Sequence, residues 1–208
     1  MPIVTINEQE PGGAIHFVTV DDLRSARLAV DHLIGLGHRR IGYIDITARP
    51  KSSRYRLRGY CEALEAVGIA LDLALVFTSS QAEDPARHGQ AGLESLLAAG
   101  ATAVFCYNDT TAIGVLAACY QRGLAVPRDL SVIGFDDIDI AAYTIPSLTT
   151  IRQPRFELGQ RAMHMMLDVL EGQTPDNQTV LGELIVRQTT APPTTLAQTA
   201  EAALIRSV

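Results

Sequence analysis

The chain has 208 residues, 47% of them apolar and 19% charged, with a formal charge of −6; that length suits one large domain or two small lobes with a genuine core. No run of eighteen apolar residues occurs, which excludes an ordinary membrane-spanning helix. The acidic balance argues against a chain that grips nucleic acid itself, because counterion release from phosphate needs a clustered basic face.

"MPIVTINEQEPGG" lacks a basic start followed by an apolar stretch, so a cytoplasmic location is expected. Next comes a helix pattern, "DDLRSARLAVDHLIGLG": Asp22 can cap it, Leu23, Ala26, Val30, Leu33 and Ile34 form its stripe, and Gly37 suits its stop. The run "RRIGYIDI" starts near residue 40 and leads into "SRYRLRGYCEALEAVG", with stripe Leu57, Tyr60, Cys61, Leu64 and an end at Gly68. Further runs, "ALVFTSS" near 74 and "TAVFCY" near 102, precede the helix pattern "DTTAIGVLAACYQRG", whose stripe is Ile113, Leu116, Ala117 and Tyr120. After "LSVIGFD" near 130, the helix "PRFELGQRAMHMMLDVLEG" opens with Pro154 and closes at Gly172. Its stripe is Phe156, Gly159, Ala162, Met163, Met166, Leu167 and Leu170. A polar loop rich in Pro, Asn and Gln leads to a final strand, "ELIVRQTT", and the tail after Pro192 is expected to be loosely held. Strand runs at intervals of one strand plus one crossover helix, apolar throughout rather than alternating, predict an α/β fold: a parallel sheet with helices on both faces, in three αβα layers.

In open parallel sheets, ligands bind beyond the carboxyl ends of the strands. Asn108 and Asp109 end one run, Asp136 and Asp137 end the next, and Arg54, Arg56 and Arg58 follow the first. Gathered at one mouth, an Asn, a carboxylate and a guanidinium can accept from and donate to a polyol or a heterocycle. Each residue also has a plainer role. Asp109 reads as the N-cap of the helix starting at Thr110, and Asn108 equally as a turn residue or a ligand contact. Arg56 is either a surface charge or a fork into the site, Arg54 and Arg58 read as solvated, and Asp137 and Asp139 as solvated or capping. Asp136 reads as functional, since a carboxylate beside a buried strand end needs a partner.

Cys61, Cys106 and Cys119 have neither disulfide nor zinc spacing, and His16, His32, His38, His88 and His164 stand at no catalytic or metal spacing. No nucleophile elbow, dinucleotide fingerprint or phosphate loop is present, so neither an enzyme, a metal nor a cofactor is expected.

The segments "LIGLGHRRIGYI", "RLRGYCEAL", "TAVFCYNDTTAIGVL", "GLAVPRDLSVIGFDDIDIAAYTIPSLTTIRQP" and "LGQRAMHMMLDVLEG" resemble successive blocks of the LacI/GalR family of bacterial transcriptional repressors over roughly residues 2 to 192. The resemblance implies a periplasmic-binding-protein-like effector domain with a small molecule, a sugar or nucleobase, between two lobes. It implies effector contacts from Asp136, Arg56 and Asn108, and a hinge acid at Asp21 or Asp22. It implies a homodimer and DNA contact only through an N-terminal headpiece that does not appear in this sequence. The expected division is a remnant N-terminal lobe from residues 1–36 and 151–172, a complete C-terminal lobe from 37–150 and 181–191, and a tail over 192–208. Two consequences follow from a partial lobe: weak effector binding, and self-association or repacking of the apolar stripe on helix 155–171. The alternative is a sugar-binding receptor of a periplasmic transport system.

Overall fold

Runs of β-branched and aromatic residues become strands, and the amphipathic stretches between them become helices. The computed structural model describes residues 2–7, 15–46, 50–78 and 84–194. In chain order the elements are β1 (Val4–Ile6), β2 (His16–Val20), α1 (Asp22–Gly35), β3 (Ile41–Ile44), α2 (Pro50–Ala66) and β4 (Val76–Phe77). They continue with α3 (Pro85–Ala98), β5 (Ala103–Cys106), α4 (Asp109–Gln121), β6 (Ser131–Asp136), β7 (Thr149–Arg152), α5 (Arg155–Leu170), β8 (Gln178–Val180) and β9 (Glu183–Ile185). Six strands form a sheet in the order β4-β3-β5-β6-β7-β9, parallel except for the β7–β9 edge pair, and β1-β2-β8 form a smaller parallel sheet.

Both faces of the central strands β3, β5 and β6 are buried, which is why these strands are mostly apolar. Alternate residues serve opposite layers. Tyr43, Phe105, Ile133 and Phe135 pack in one cluster with Ala26, Leu33 and Tyr60 of α1 and α2. Ile44, Val104, Cys106 and Val132 pack in a second with Leu93 and Leu96 of α3 and with Ala112 and Val115 of α4. Within each layer glycines let the helices approach. A Cβ on Gly59 would lie 2.3 Å from the Leu23 carbonyl oxygen, and one on Gly114 would lie 1.9 Å from that of Ala86.

The expected three-layer α/β architecture is present, with local differences. α1 packs on α2 and against β5, β7 and β9 of the larger sheet. Its apolar stripe extends that helical layer. α3 falls in a stretch where no individual helix is expected, and β8 forms inside the polar loop by pairing with β2. β9 covers only the start of "ELIVRQTT"; beyond it Gln188 N donates to Ser147 O, and Val132 N donates to Thr189 O. Cys106 and Cys119 are buried, Cys61 is half-buried, and all three are free. The tail expectation for residues 195–208 falls outside the described residues.

Candidate functional site

The chain leaves β3 toward β4 on one side and then returns to β5 on the other, so the crossovers diverge between β3 and β5, and a crevice opens there at the carboxyl ends of the strands. A cavity of about 190 Å³ occupies this place, room for roughly six waters at liquid density. Nearly every strand end nearby supplies a wall. Asn7 follows β1, Asp22 follows β2, Ile46 follows β3, Tyr107 and Asn108 follow β5, Asp136 ends β6 and Gln153 follows β7, while Ser52 and Arg56 come from α2.

Arg56 is the centre of the wall and is buried, with 4% of its surface exposed. Its Nε donates to Asp22 Oδ1 at 2.8 Å and its Nη1 to the Tyr107 carbonyl oxygen at 2.5 Å. Its guanidinium carbon stands 3.6 Å from the centre of the Phe135 ring and 4.4 Å from that of Tyr107, a stacking that suits the planar, weakly hydrated cation. Burial works to lower the pKa of Arg56, but Asp22 and Asp136 outweigh it, and the group is held above its ordinary range. Nη2 lies 3.8 Å from Asp136 Oδ1. Arg54 and Arg58 are exposed, the latter paired with Glu62.

Asp136 and Asp137 both have positive φ, 118° and 50°, a conformation non-glycine residues keep only when their surroundings impose it. Two sets of contacts impose it. Asp137 is buried, not solvated, and its carboxylate takes Arg152 Nε and Arg187 Nη2, each at 2.7 Å. Although burial opposes this, the two arginines hold its pKa below the usual range. The other clamp is Asp109. It is fully buried and not the N-cap; its Oδ2 accepts from Ile138 N at 2.9 Å and its Oδ1 from Thr150 Oγ1 at 2.5 Å. Burial pushes the Asp109 pKa up to about 7. A Cβ on Gly134 would lie 2.2 Å from Asp109 Oδ1, so β6 carries glycine where this carboxylate crosses it.

Asn108 is the cap of α4, its Oδ1 accepting from Thr111 N at 2.9 Å. Capping uses the amide oxygen and not the Nδ2 donor. The hinge acids separate cleanly: Asp21 caps α1 through Arg24 N, while Asp22, expected as a cap, is buried against Arg56. Thus Asp136, Arg56, Asn108 and Asp22 line one cavity and Asp21 stands outside it. Asn7, Ser52, Tyr107 and Gln153 were not legible as wall residues, although the strand-end rule itself points to Asn7 and Gln153. Among the described residues no group of three His, Cys, Asp or Glu side chains could hold a metal ion.

A polar crevice at the strand ends of a doubly covered sheet, with a second small sheet beside it, defines a periplasmic-binding-protein-like ligand domain. The family described as the periplasmic binding protein-like domain matches residues 30–190. An Enterococcus faecium LacI family regulator with bound ribose aligns with a TM-score of 0.84 at 31% identity, over 93% of this chain and 72% of that one. The Escherichia coli repressor ascG gives 0.81 at 36% identity, over 91% and 69%. In sequence, the HTH-type transcriptional repressor CytR of E. coli K12 is 39% identical over 193 residues, 91% of this chain and 56% of the relative. The chain belongs to the LacI family of transcriptional regulators. It spans about half the length of the curated relatives it matches.

Proposed function

We propose that this chain is the effector-sensing part of a cytoplasmic, homodimeric regulator, and that it takes a neutral, hydroxyl-rich small molecule, a sugar or a nucleobase carrying one. The observation that carries the reading is the 3.8 Å gap between Arg56 Nη2 and Asp136 Oδ1 at the cavity wall. That spacing is too long for a direct hydrogen bond, yet one ligand hydroxyl can accept from the guanidinium and donate to the carboxylate. Asn108 supplies a further amide donor beside them. Ribose in the E. faecium regulator supports this class of ligand.

DNA contact is assigned to a part outside this chain, in keeping with its formal charge of −6 and the helix-turn-helix designation of its relatives. The outer face of α5, with Phe156 86% and Leu170 63% exposed, supports a homodimer surface. No helix among the described residues is long and apolar enough to cross a membrane.

The test is a thermal-shift panel of sugars, nucleosides and nucleobases on a full-length regulator carrying this domain, repeated with Asp136→Asn and Arg56→Lys. A stabilising ligand whose effect falls at least tenfold in affinity in both variants supports the reading, since a charge-assisted hydrogen bond contributes about 1.5–3 kcal/mol. Unchanged binding in both variants sinks it.

A further inference from the structure

The cavity already holds an internal stand-in for a ligand. Gln153 Nε2 donates to Asp136 Oδ1 at 2.5 Å, and Asn7 Nδ2 donates to Gln153 Oε1 at 3.0 Å. The direction of both bonds is fixed by chemistry: an ionised carboxylate only accepts, so the amide nitrogen of Gln153 faces Asp136 and its oxygen faces Asn7. Asn7 is itself anchored. Its backbone N donates to Val18 O at 3.0 Å, its Oδ1 accepts from Val20 N at 3.3 Å, and it holds a left-handed φ of 59°. The bridge therefore runs from the end of β1 in the small sheet, through the segment after β7, to the end of β6 in the large one. It crosses the mouth from one sheet to the other.

We propose that Gln153, held by Asn7, is a displaceable cap on the effector site. Its amide occupies the Asp136 oxygen that also faces Arg56 Nη2, the atom an effector hydroxyl has to reach. The proposal rests on the assignment of this cavity as the effector site and adds to it a residue that sets the affinity threshold. Binding breaks the Gln153–Asp136 bond, so the ligand gains only the difference between two hydrogen bonds to the same acceptor. The polar tie between the sheets is exchanged at the same moment, so ligand occupancy and the relation of the two sheets are coupled through one side chain.

Removing the amide takes away the group that competes with the ligand for Asp136 Oδ1, and affinity rises by about threefold to tenfold, the range of one net hydrogen bond. The experiment measures ligand-induced melting shifts of this chain with D-ribose, D-glucose and uridine, each against the variant's own unliganded baseline. With Gln153→Ala the shift grows, or first appears, for at least one of the three compounds, and with Asn7→Ala it grows in the same direction. A shift in Gln153→Ala no larger than in the unaltered chain for all three overturns the cap. The double variant Gln153→Ala with Asp136→Asn separates the two levels. Loss of the shift there supports the cap, whereas its persistence places the ligand elsewhere and overturns both the cap and the site beneath it.

Discussion

Asp109 shows how one buried carboxylate sets the shape of the mouth. It receives the amide of Ile138 and the hydroxyl of Thr150, so it fixes the turn that carries Asp136. Burial raises its pKa to about 7, from about 3.9 in an open chain. The sign follows from linkage: folding favours the protonated form, so the stability this group contributes is fully present below about pH 4 and is lost as pH rises through 7. The loss above pH 7 is on the order of 4 kcal/mol. Asp109→Asn keeps an oxygen for Ile138 N and offers its amide to the Thr150 oxygen, while removing the charge. The variant should therefore melt close to the unaltered chain near pH 4 and increasingly above it toward pH 7, levelling off beyond. Melting curves across that range check this, and a difference that does not vary with pH refutes the buried-charge account.

At the scale of elements, the helical layers are held by absent side chains. Gly89 faces Thr111 O and Gly114 faces Ala86 O, so α3 and α4 touch backbone to backbone. Gly114→Ala has no room, since the added carbon would sit 1.9 Å from a main-chain oxygen, and the helices must move apart. A cost of about 1–3 kcal/mol is expected from overpacking, read as a lower midpoint in urea unfolding, whereas Gly159→Ala, with nothing within 4 Å, should not lower the midpoint. Legibility also differs by element. The central strands β3, β5 and β6 announce themselves because burial on both faces demands continuous apolar runs, whereas β7, with two threonines and an arginine, does not. α3 carried readable signals, an Asp84 cap and Pro85 at its first position, yet its stripe is diluted by Gly89 and Gly92, the residues its packing requires. β8 was not readable, because "QTV" becomes a strand only through β2, which is distant in sequence. The same limit applies to the site. Asp136, Arg56 and Asn108 stand out beside recognisable strands, but whether Asp21 or Asp22 faces Arg56, and that Gln153 meets Asp136, depends on long-range geometry.

At the scale of the whole molecule, the outer face of α5, beside the smaller sheet, is an exposed apolar surface. Among the described residues β1 pairs with β2, and α5, which packs on β1 and β2, buries Leu158, Ala162 and Met165. The stripe read from the sequence is therefore mostly the outer face: Phe156 is 86% exposed and Leu170 63%, with Met163 and Leu167 between them. Full burial of such side chains is favourable by about 1.5–3 kcal/mol each, so the chain should self-associate through this surface. Sedimentation velocity should show a weight-average mass that rises with concentration, and Met163→Asp with Leu167→Lys should abolish the rise. A second exposed apolar group, Ile140, Tyr143 and Ile145, is the internal control. If Ile145→Asp alone returns the chain to a monomer while the α5 pair leaves association intact, the α5 face is not the contact, and the exposed stripe is tolerated in water.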